Sequence, residues 1–96
     1  MGSKLTKTEY NEIENLVEDI MYAYNKKDAE PHIMKLRFKS TVLDLLPPGN
    51  NILSELVDYA SSAAGKVKDK EHWINAARTS LYKLQSHVKR EEKQDG

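Results

Sequence analysis

The sequence predicts an all-α fold, a small up-down four-helix bundle, on three observations. Four segments carry apolar residues at the spacings of three and four that mark one face of a helix. Pro47-Pro48-Gly49 and Gly65 punctuate them. No stretch alternates apolar and polar residues with the β-branched or aromatic enrichment of a strand. Connectors of about three to six residues then make successive helices antiparallel neighbours.

The first helix opens on Thr6-Lys7-Thr8-Glu9, a capping box in which threonine and glutamate satisfy each other's backbone donors. Tyr10, Ile13, Val17, Ile20 and Tyr24 form its inner stripe, so the helix is expected to run from Lys7 to about Asn25. The second is expected to start at Asp28 or Glu30, with Pro31 in the first turn, where its missing N–H is no loss. Ile33, Met34, Leu36, Phe38, Val42, Leu43, Leu45 and Leu46 follow until the two prolines end it. Asn50 or Asn51 is the expected cap of the third, whose stripe is Leu53, Leu56, Val57, Ala60 and Ala64. Gly65 suits the left-handed residue that closes a helix, and Asp69 suits the next cap. The fourth is expected from Lys70 to about Arg90 on Ile74, Ala77, Leu81, Leu84 and Val88. At 1.5 Å per residue the first and fourth would reach ~28–32 Å and the middle pair ~20–25 Å, so the outer pair should project.

Met1 to Ser3 read as a cloning remnant, residues 4–90 as one domain, and residues 91–96, which carry no apolar side chain, as a frayed tail. The 15 basic and 15 acidic residues cancel, and 31% of the chain is charged against 39% hydrophobic. No apolar run approaches the ~18–20 residues of a membrane span, and no secretory leader is visible, so an intracellular, cytoplasmic location is expected. Cysteine is absent, which excludes disulfides, thiolate zinc sites and a thiol nucleophile.

Catalytic patterns are weak. His32, His72 and His87 are too far apart in sequence for a helical turn to present two to a metal. The run from Ala60 to Val67 lacks the first glycine and the final Ser or Thr of a phosphate-binding loop, and a helix precedes it where a strand is needed. Glu14 with Glu18, and Glu91 with Glu92, lie in polar stretches that offer no desolvation to raise a carboxyl pKa. The expectation is a non-enzyme with no cofactor and no metal.

Charge distribution is more informative. Residues 9–19 hold five acids and no base, whereas residues 72–90 hold four bases and no acid. Attraction between neighbouring first and fourth helices accounts for this without any partner. Alternatively Lys66, Lys68, Lys70, Arg78, Lys83, Lys89 and Arg90 form a cationic edge for an acidic protein or for phosphates. Tyr10, Tyr24 and Phe38 are expected in the core, whereas Tyr22, Tyr59, Tyr82 and Trp73 are the aromatics expected nearer the surface. Trp73 and Tyr82 join the basic residues as the expected partner contacts, with Trp73 either covering a bundle end or anchoring a partner.

Helix lengths and connectors are similar to those of small bacteriocin-immunity bundles, and to helical accessory proteins that assist reverse transcriptases or sit in ribosomal intervening sequences. The likeness lies in topology and apolar spacing and carries no residue role over. The expected function is an interaction module that binds a protein partner as adaptor, inhibitor or regulatory subunit. The alternatives are a nucleic-acid-binding accessory protein using the basic fourth helix and a cytosolic immunity-type inhibitor.

Overall fold

A computed structural model describes residues 4–89. It is an all-α four-helix bundle: α1 (Lys7–Met21), α2 (Lys26–Val42), α3 (Gly49–Ser62) and α4 (Lys70–Gln85). The expected tail at 91–96 lies outside the described residues. Packing is most extensive between α3 and α4 and between α1 and α2; of the pairs that touch it is least between α1 and α4, and α2 and α4 do not meet.

The core is the meeting of the four stripes. Ile13, Val17 and Ile20 of α1, Ala29 and Leu36 of α2, Leu53, Leu56 and Ala60 of α3, and Ala77, Leu81 and Leu84 of α4 are buried in one cluster. Tyr10 is buried with them and donates its hydroxyl to the Leu81 carbonyl at 3.2 Å, so its one polar atom stays paired. Leu43, Ile74 and Val88 pack on the cluster from its margin.

Helix ends differ from expectation for local reasons. The capping box forms, with Thr6 Oγ1 accepting from the Glu9 amide at 3.0 Å and Glu9 Oε1 accepting from the Thr6 amide at 2.9 Å. However, α1 stops at Met21, because Asn25 serves as the cap of α2 and accepts the Asp28 amide at 2.8 Å. α2 therefore begins at Lys26, and Pro31 falls inside the helix rather than in its first turn. Tyr24, stranded on the connector, is 71% exposed and not core. α3 starts earlier than expected, with Gly49 as its first residue, Pro48 at the cap and no side-chain cap bond. Asn50 serves the first turn from within it, its Oδ1 accepting the Asn51 amide at 2.8 Å.

α4 ends at Gln85, short of Arg90, because the chain must turn to meet the N-terminal segment. The amides of Ser86, His87 and Val88 bond the carbonyls three residues back, tightening the last turn. The Leu5 amide then bonds the His87 carbonyl at 3.1 Å and the Lys89 amide bonds the Leu5 carbonyl at 2.7 Å, an isolated parallel bridge between Leu5 and Val88. Leu5, 0% exposed, plugs this end of the core.

The helices hold 15, 17, 14 and 16 residues in chain order, so the outer pair does not project as expected. The first and fourth each lose residues to a cap or a turn, whereas the second gains residues at its start but ends at Val42, short of the prolines expected to end it, because Leu43 is already extended.

Candidate functional site

α2 is apolar on two faces. Ala29, Ile33 and Leu36 point into the core. Met34, Phe38 and Val42 recur every four residues on the opposite side and are 70%, 67% and 57% exposed. The expectation of a buried Phe38 is thus corrected: the core side of α2 is already filled by other residues. The signal was present in the sequence, since apolar residues in this segment are too widely spread around the axis for one stripe.

Beside this seam runs an open cleft of about 450 Å³ between α1 and α2, lined by Glu12, Asn15, Leu16, Lys35, Phe38 and Lys39. Lys39 Nζ lies 2.6 Å from Glu12 Oε1, so one cation of the cleft is already paired. Lys35 and Arg37 are exposed and form no ion pair among the described residues.

The basic edge expected from the last third of the chain is dispersed. Lys70 turns inward, and its Nζ donates to the Ala63 and Gly65 carbonyls, where it neutralises the negative end of α3. Arg78 donates to the Tyr22 hydroxyl and sits 3.9 Å from Glu18. The hydrogen bond to Tyr22 leads, with the nearby Glu18 and Glu14 carboxylates adding, in raising the Arg78 pKa further. Lys66 Nζ rests 4.7 Å from the centre of the Tyr24 ring. Lys68, Lys83 and Lys89 are exposed, but Lys83 is about 140° around the axis from Arg78 at 100° per residue. Arg90 lies outside the described residues.

Trp73 is half-buried against the core, 6.1 Å from the Tyr59 ring centre and 4.8 Å from that of His72. Tyr82, 76% exposed, borders a separate cleft with Ile52, Lys83 and His87. Of the expected partner contacts, Tyr82 and Lys83 share that cleft, and Trp73 does not line it.

The acids of α1 are divided between two neighbours. Glu12 meets Lys39 and Asp19 lies 3.9 Å from His32, both on α2, while among the described residues Glu18 pairs with Arg78 of α4 and Glu14 acts on Arg78 from farther off. Among the described residues, charge attraction between the first and fourth helices thus centres on Arg78, with Glu18 at 3.9 Å and Glu14 beyond it. Among the described residues no group of three or more His, Asp or Glu is placed to hold a metal ion, and no helix is long and apolar enough to cross a membrane.

No protein family, curated protein or solved structure matches this chain.

Proposed function

We propose that the chain is a non-enzymatic helical interaction module that binds a protein partner through the outer face of α2. One observation carries this reading: Met34, Phe38 and Val42 stand exposed in register on a helix whose core face is already satisfied. Folding gains nothing from large apolar side chains there, whereas an apolar row exposed on a small domain is a common feature of binding surfaces. The reading moves the expected contact surface from α4 to α2. The nucleic-acid alternative receives less support, since Lys70, Arg78 and Lys66 each have an internal partner.

Affinity capture from the source cell tests it. The bait is compared with a Met34→Ser, Phe38→Ser variant and with a Tyr82→Ser, Lys83→Glu control on α4. A specific partner lost with the α2 variant and kept with the control is the expected result, given unchanged circular dichroism and denaturation midpoints. A partner retained equally by the α2 variant overturns the proposal.

A further inference from the structure

We infer that the occupant of the α2 seam is an amphipathic helix of a partner protein with carboxylates along the rims of its apolar stripe. The inference rests on the protein-binding reading above and adds the chemistry of the partner. Residues 31–43 contain Lys35, Arg37 and Lys39 and no acid, whereas the acids of α2, Asp28 and Glu30, lie in its opening turns. Lys39 is spent on Glu12. Lys35 and Arg37 remain, and at 100° per residue they flank the row Met34, Phe38, Val42 on its two sides. An apolar seam with a free cation on either rim is complementary to a helix with an apolar stripe and acidic borders.

The shape of the surface agrees. Met34 to Val42 spans about 12 Å along the axis, two turns, enough for three anchor positions of a partner helix. The cleft beside Phe38 is floored by Leu16, which gives one partner side chain a concave seat between α1 and α2. A second copy of this chain would set Lys35 and Arg37 of one α2 against those of the other, and like charges facing each other disfavour that pairing.

Three labelled synthetic 20-residue helical peptides test the inference by fluorescence anisotropy at 0.15 M NaCl. The first has a leucine stripe with glutamate rims, the second the same stripe with lysine rims, the third glutamate rims with serine in place of leucine. The glutamate-rimmed leucine peptide is expected to bind at least tenfold more tightly than either of the others. Phe38→Ala should weaken it at least tenfold, and Lys35→Glu with Arg37→Glu should invert the order of the first two peptides. Both variants alter exposed side chains, and retention of the native circular dichroism spectrum and denaturation midpoint checks their folding. Sedimentation velocity of the chain alone and flotation with phosphatidylcholine–phosphatidylserine vesicles run in parallel. Equal binding of the first two peptides overturns the acidic-partner inference while leaving the protein-binding reading in place. Absence of saturable peptide binding overturns the inference too. A dimer or vesicle binding that disappears with Phe38→Ala then assigns the seam to a second copy or to lipid, and the capture experiment separately decides whether any protein uses this face.

Discussion

Gly65 and Asp69 are both left-handed, with φ of 73° and 59°, yet they respond oppositely to substitution. A Cβ on Gly65 would sit 2.7 Å from the Lys26 amide nitrogen, a backbone atom at the start of α2. Gly65→Ala therefore adds a clash to the left-handed cost, and a loss of about 2–3 kcal/mol is expected from urea denaturation. Asp69 makes no side-chain cap bond, so Asp69→Gly relieves backbone strain without removing one. Its midpoint should be unchanged or raised, by up to about 1 kcal/mol. Tyr10 is the titratable counterpart. Burial first, and the Glu14 carboxylate second, raise its phenol pKa. The stabilisation of the neutral phenol is complete below the unfolded value near pH 10 and is lost as pH rises through the folded value. Stability measured across that alkaline range should fall less steeply for Tyr10→Phe than for the wild type.

Within elements, the two faces of a helix separate by their response to truncation. Leu81 faces the core of α4 and is 5% exposed, so Leu81→Ala should cost about 2–5 kcal/mol. Phe38 is a larger residue on the outer side of α2, and Phe38→Ala should change the denaturation midpoint by only about 0.5 kcal/mol equivalent. The contrast checks both the register of the core and the claim that the α2 seam does not serve folding. A Phe38→Ala loss comparable with that of Leu81→Ala would place Phe38 in the core and remove the basis of the proposed surface. The α1 capping box is an independent element-level contribution, worth about 1 kcal/mol on Thr6→Ala.

For the whole molecule, the Leu5–Val88 bridge ties the segment before α1 to the segment after α4, and Leu5 covers one end of the core. Leu5→Ala should cost about 2–5 kcal/mol even though the residue lies outside every helix. The charge balance also acts at this scale. Net charge is zero. The cations of the last third are split among an internal cap, a contact with Glu18 and separate flanks of α4. Without a concentrated positive field, mobility-shift titrations with generic single-stranded and duplex RNA and DNA near 0.15 M salt should show no sub-micromolar binding. Such binding, lost on Arg78→Glu with Lys89→Glu, would favour the nucleic-acid reading instead.

Four helices, most of the inner stripes of α1, α3 and α4, the Thr6 capping box and the left-handed Gly65 were legible in the sequence because each rests on interactions within a few residues. Periodicity reports which face is apolar, and capping and turn chemistry report where a backbone donor is satisfied or a Cβ is excluded. Tertiary structure decided what depends on distant residues. It gave Asn25 to α2, which released Tyr24 to solvent, and it ended α4 where residues 86–89 turn to meet Leu5. It also sorted the crowded apolar set of α2 into a core face and an outer seam, because only α1 and α3 pack against α2 and they cover one side of it. The basic residues followed the same logic: their number could be counted along the chain, but whether they shared a face depended on which carbonyl, carboxylate or ring each one met after folding.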